Sequence, residues 1–267
     1  MKEGNPMLNK TIFKQTLKAN FKLWFIFTLI LSVFTVVMIA VFEPSTISGV
    51  SDMVKGTPLE NMLQNTTFLG MLSQTLYSLH GVILPIIFII MTANSLIASQ
   101  VDRGSMAYLL STPIKRSTVV RTQAAYLISS LIVMFLVMTI VGVISINIFQ
   151  SGLDVDMADY LTLNLGLFLL MFVTSGISFM FSCIFNLSKN SMALGAGIPL
   201  LFFLFQLMAQ VSSDLEWFKY LTVNTLFDTD AILSGEGYII PFIVLLVVGI
   251  VLYEIGMYVF KSKDLPL

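Results

Sequence analysis

The stretch AAYLISSLIVMFLVMTIVGVISINIF, residues 124–149, runs for 26 positions without a charged side chain. A helix needs about 20 apolar residues to cross the hydrocarbon core of a bilayer, so this segment is long enough to span one. A transmembrane β-strand would instead alternate with period two over about ten residues. Here the apolar residues are continuous, which is the pattern of a membrane helix. Five more windows read the same way: 24–42 and 79–98 before it, and 160–185, 191–211 and 238–260 after it. Pro85, Pro199, Gly195 and Gly197 fall inside these windows; membrane helices tolerate both residue types as kinks or close contacts. The whole chain agrees. Of 267 residues, 57% are hydrophobic and 11% charged, and the mean hydropathy is +0.91. An ordinary soluble domain carries roughly 25% charged residues. A soluble fold of this size could not cover itself with so few charges, which excludes a soluble enzyme, a nucleic-acid binder and a disordered chain. The expected fold is an all-α integral membrane protein with six transmembrane helices in a single domain, residues 1–267.

Six spans put both termini on one side. Lys2, Lys10, Lys14, Lys18, Lys22, Arg103, Lys115, Arg116, Arg121, Lys189, Lys261 and Lys263 fall on that side, leaving only Lys55 and Lys219 for the other. The positive-inside rule then makes both termini cytoplasmic. The N-terminus does not read as a cleavable signal, because about 20 polar-leaning residues precede the first apolar run. Span one is expected to be a retained anchor, with a start at either Met1 or Met7.

Three segments outside the spans are informative. In residues 8–22, Lys10, Lys14, Lys18 and Lys22 recur every four positions, with Ile12, Phe13, Thr16 and Leu17 on the other side. That is the pattern of an amphipathic helix lying in the inner interface; a plain topology signal ahead of span one fits as well. Residues 101–117, VDRGSMAYLLSTPIKRS, follow span two. Asp102 and Ser105 can cap a short helix from Ser105 to Leu110, Pro113 ends it, and Ser117 can cap the next helix. Met106, Tyr108, Leu109 and Leu110 would then be apolar side chains at the cytoplasmic face, framed by Arg103 and Lys115. They suit a protein-docking surface, while the basic residues alone suit a solvated loop. Residues 212–237 interleave Trp217, Phe218 and Tyr220 with acids. They are too charged to span and too apolar for a free loop, so short re-entrant or interfacial helices are expected there.

Soluble chemistry is poorly provided for. There is no G-x-x-x-x-G-K-[ST] loop to cradle a nucleotide. His80 is the single histidine and Cys183 the single cysteine, so neither a multi-histidine metal site nor an internal disulfide can be built within the chain. His80 reads as an interfacial polar residue and Cys183 as an inert thiol. Glu254 is the one carboxylate inside a span, a possible intramembrane polar site; a residue hydrogen-bonded near the interface is the alternative. Asn94, Asn147, Asn164 and Gln206 also lie in spans, and Ala193 with Gly197 makes a small-xxx-small pair suited to helix contact inside the chain or across a dimer.

The loop 101–117 resembles the coupling segment of ABC-2-type ABC-transporter permeases, which read as an acidic-Arg start followed by Leu-Leu-Ser-x-Pro-[IV]-x-Arg. Residues 221–228, LTVNTLFD, are similar to the family's segment between spans five and six, although Val223-Asn224 stands where a proline is common. The ending FKSKDLPL, 260–267, resembles the tails of small Gram-positive members, including peptide exporters of the phenol-soluble modulin type. The resemblance implies the permease subunit of an ATP-driven exporter in the bacterial plasma membrane. Two copies of this chain would pair with two copies of a cytoplasmic ABC ATPase subunit. ATP and Mg would be held by that partner, with no cofactor bound by this chain and no nucleic acid involved. Arg103, Ser105, Met106, Tyr108, Leu109, Leu110 and Pro113 would couple to the ATPase. Phe88, Asn94, Phe202, Phe203 and Gln206 would line the path of an exported peptide or other amphiphile. Two other classes fit the spans alone: a stand-alone secondary transporter or channel, and an immunity or scaffold protein that sequesters a peptide.

Overall fold

The structure, a computed structural model, describes residues 8–42, 49, 67–211 and 213–265. Among them it is helical throughout, with six helices long and apolar enough to cross a membrane. The first span is α1 (Lys10–Val41). The second combines α2 (Phe68–Leu72), a wide-turn segment (Ser73–His80) and α3 (Gly81–Leu96). Two short helices follow, α4 (Ala98–Asp102) and α5 (Ser105–Leu110). Spans three, four and five are α6 (Arg116–Phe149), α7 (Met157–Ile184) and α8 (Ser188–Val211). Two 3-10 turns (Ser213–Leu221 and Val223–Leu226) and α9 (Thr229–Leu233) lead to the sixth span, α10 (Ile239–Ser262).

The helices outrun the apolar windows because polar residues continue a helix once it has left the hydrocarbon. The clearest case corrects an expectation. Residues 10–22 are helical, but they are the first turns of α1 rather than a separate in-plane helix. At about 1.5 Å per residue, its 32 residues form one rod of about 48 Å. Asn9 starts it by accepting from the amides of Thr11 and Ile12 through Oδ1. Hydrogen bonds tie the rod to α6: Asn9 N to Thr122 Oγ1 at 3.0 Å, Thr16 to Gln123 at 3.1 Å, and Trp24 Nε1 to Ser130 O at 2.9 Å. At the far end Gln150 Nε2 donates to the carbonyls of Ile39 and Phe42, at 2.7 and 3.0 Å. Of the residues on the side away from the lysines, Ile12 and Thr16 are buried and Leu17 is exposed.

Span four is the axis of the bundle. Its apolar window is 78% buried, against 17–22% for spans one, five and six. Glycines let its neighbours approach. Gly142 of α6 makes room for the Tyr160 hydroxyl, and Gly249 of α10 accepts the ring of Phe172. Buried Asn164 donates to Tyr77 Oη at 2.7 Å and to Tyr160 O at 2.8 Å, joining spans two and four. Span two begins earlier than its apolar window, at Phe68. Its Ser73–His80 stretch carries i→i+5 bonding, as in Gly81 N to Leu76 O. A Cβ at position 81 would lie 2.6 Å from that carbonyl, so the wide turn depends on glycine there. His80 stacks on Phe34 with ring centroids 4.3 Å apart and bonds Thr75 O through Nδ1.

Among the described residues, the fold gathers the basic side chains other than Lys219 at one end. The start of α1, the 103–116 segment, the start of α8 and the end of α10 meet there. Asp102 Oδ2 accepts from Ser188 N, Arg116 donates to Lys263 O, and Lys263 Nζ reaches the last carbonyls of α7 at Ile184 and Phe185. That partial burial lowers the Lys263 pKa. Asp154, Asp156 and Asp159 and the 213–233 helices mark the opposite, acidic end.

Candidate coupling surface and transport path

At the basic end, Gly104 takes a left-handed φ of 71° and turns the chain out of α4 into α5. A residue with a Cβ is strained in that conformation. The helix Ser105–Leu110 forms with the bounds expected of it, but its caps differ. Asp102 is committed to Ser188, and Ser105 Oγ donates to Gln100 O. Ser111 and Thr112 bond back to Tyr108 O and Leu109 O, closing the C-terminal turn before Pro113. The next helix starts at Arg116 behind Lys115, with no side-chain cap from Ser117.

The faces of α5 divide the expected coupling residues. Met106 is fully buried, in one core with Ile12, Val101, Val119 and Val120. It fixes the helix to the bundle, on the face turned away from the exposed Tyr108. Leu109 and Leu110 are half-buried against the same core. Tyr108 projects outward at 82% exposure, with Arg103, Ser105 and Pro113 also exposed. A six-residue helix gives too few repeats for its inward face to be read from periodicity alone. Beside it runs a groove of about 610 Å³ lined by Gln15, Asn20, Gln100, Tyr108 and Thr112 among others. The signal for those groove residues was the polar pair Thr16 and Asn20, four residues apart on α1.

The expected path residues do not share one surface. Phe88 is fully buried, 6.0 Å from Phe27, and Phe203 is 7% exposed. Both pack within the single chain; in a helix apolar all round, sequence does not orient them. Asn94 Nδ2 donates to Ser188 Oγ at 2.7 Å, linking spans two and five at the basic end. Phe202 is half-buried. Gln206 Oε1 accepts from Asn224 at 2.8 Å and lines a cavity of about 350 Å³ at the acidic end. Gln74, Tyr77 and Ser78 of the wide turn and Asn224 and Thr225 of the 3-10 turns share that cavity. These residues were missed; the polar run Ser73–His80 next to an apolar window was their signal. At the cavity's edge the Lys219 ammonium holds the Glu216 carboxyl below its usual range, and Glu216 raises Lys219 in turn. Ala193 is exposed, and a Cβ at Gly197 would touch nothing, so this small pair makes no contact inside the chain. Glu254 lies on the outward face of α10.

Among the described residues no group of His, Cys, Asp or Glu is arranged to hold a metal ion. Six packed apolar helices with a side chain presented at one end define a multi-pass membrane protein. A family profile described as ABC-2 family transporter protein matches residues 13–265. The chain belongs to the ABC-2 transporter family, whose members are transmembrane components of ABC transporters and not themselves catalytic. No curated protein matches it.

Proposed function

We propose that this chain is the permease subunit of an ATP-driven exporter, with its basic end in the cytoplasm. Two copies pair with two copies of a separate ABC ATPase, which holds ATP and Mg. The observation that carries this is Tyr108, exposed on a short helix whose opposite face is locked into the core by Met106. An exposed aromatic on a firmly seated helix, amid polar neighbours, suits a protein anchor. Force applied at α5 reaches α1 and α6 through the shared core and the Thr16–Gln123 bond. Ala193 and Gly197, open on span five, suit contact with a second copy. The substrate is an amphipathic molecule, with a peptide the leading candidate. A secondary transporter needs ionisable groups inside the bundle, and among the described residues no Asp, Glu, Lys or Arg is buried.

The test is co-purification with a candidate ABC ATPase subunit expressed together with this chain, followed by ATPase stimulation across candidate peptides. Tyr108→Asp should reduce ATPase recovery about tenfold, the cost of removing one interface hot spot. Membrane insertion should be unchanged, because the residue touches little of the bundle. Recovery at the normal yield would overturn the docking surface.

A further inference from the structure

α10 exposes Val247, Ile250 and Val251 on its outward side, and Glu254 follows them on the same side. Tyr258, one turn further toward the basic end, is 73% exposed. Residues four apart on a helix are surface neighbours, so a carboxylate and an aromatic ring stand side by side at the edge of an apolar stripe. Among the described residues the Glu254 carboxylate has no hydrogen-bond or ion-pair partner. The cations nearest in sequence are placed elsewhere. Lys263 faces the carbonyls of α7, and Arg116 bonds Lys263 O. Lys261 is exposed seven residues on, about 10 Å along the axis. Glu254 therefore lies on the acyl side of the last basic residues, in a surrounding where an ionised group calls for a partner.

We infer that Glu254 and Tyr258 form a lateral binding site for an amphiphilic cation dissolved in the leaflet at the basic end. The apolar body of the ligand lies along Val247, Ile250 and Val251, and its ammonium or guanidinium group is held between the carboxylate and the ring. Carboxylates and aromatic faces attract the same cations by independent means. A second copy presenting the same face would bring two carboxylates together, which disfavours that occupant. In phosphatidylethanolamine the ammonium sits on the water side of the phosphate. Glu254 sits on the acyl side of Lys261, so a cation borne directly on an apolar body fits better than that headgroup. The site does not depend on ATP-driven transport, and its test needs no ATPase.

The full chain is reconstituted in phosphatidylcholine nanodiscs with dodecylammonium carrying a tail diazirine, and separately with the matching dodecanol. After photolysis, labelling of the peptide covering α10 is measured by mass spectrometry. The ammonium probe should label it about tenfold more than the alcohol, as expected for one charge-assisted contact away from bulk water. Glu254→Gln should bring labelling down to the alcohol level, Glu254→Asp should retain most of it, and Tyr258→Leu should lower it in part. All three changes are on the surface, and a monodisperse elution profile confirms folding. Equal labelling by both probes, or no effect of Glu254→Gln, overturns the site. Loss of labelling when phosphatidylethanolamine is added in excess overturns the assignment to a directly borne cation.

Discussion

Gly249 offers the sharpest test of how the bundle is packed. A Cβ added there lies 2.4 Å from Cδ1 and 2.5 Å from Cε1 of Phe172, against an optimum of roughly 3.5–4.0 Å between carbons. The ring cannot retreat freely. It stacks on Tyr253 at 5.4 Å and on Phe168 at 6.3 Å, and is 7% exposed. Gly249→Val puts three carbons into that contact. Overpacking costs about 1–3 kcal/mol and sometimes more, and the helix propensity gained over glycine returns only a few tenths of that. A net loss of about 2 kcal/mol should lower the apparent melting temperature by roughly 4–8 °C for a chain of this size. Tryptophan fluorescence or size-exclusion recovery after heating in detergent reads this directly. Gly152→Ala is the control, since a Cβ on that exposed turn residue meets nothing within 4 Å, and it should leave melting unchanged. Trimming the ring should relieve the clash, so Gly249→Val with Phe172→Leu should be more stable than the sum of the single changes by about 1 kcal/mol or more. Parental melting of Gly249→Val, or simple additivity in the double variant, would refute the packing argument.

Gln150 gives a polar counterpart. Gln150→Ala should cost about 1–2 kcal/mol by removing both donors to the carbonyls of Ile39 and Phe42. Gln150→Glu should cost more, because a carboxylate facing two carbonyls cannot donate; equal melting of the two variants would argue against the contact. Met106→Asp should destabilise by about 3 kcal/mol or more, through an unpaired charge in the core behind α5, and retained expression and melting would show that α5 is not seated there. Asp154→Cys, exposed between spans three and four, should react with an impermeant maleimide from outside intact cells. Reaction only after lysis would invert the proposed orientation.

Spans were legible because twenty apolar residues in a row have few other fates. The acidic segment resolved into the short helices expected there, and α5 has its expected bounds because Gly104 and Pro113 punctuate the chain on either side. What remained hidden depended on tertiary partners. Asp102 had two possible uses, capping α5 or reaching Ser188, and only packing decided between them. Phe88 and Phe203 sit in helices apolar on every side, so their sequence carries no sign of which face is inward. The wide turn before Gly81 leaves no mark in hydropathy, since it changes the hydrogen-bond register and not the composition. In sequence Met106 is indistinguishable from its apolar neighbours, although burial separates it from Tyr108 by nearly the full range of exposure.

The unbroken course of α1 has a mechanical consequence. Fastened to α6 near both of its ends, it behaves with that helix as a paired beam, stiff against bending. A push at the loop between spans two and three would tilt such a beam as a whole instead of being absorbed along it. Span two, the other neighbour of that loop, contains the segment whose hydrogen bonds already skip a residue and border a cavity. The helix tied at both ends and the helix with the widened hydrogen-bond register beside the cavity are thus different members of the bundle.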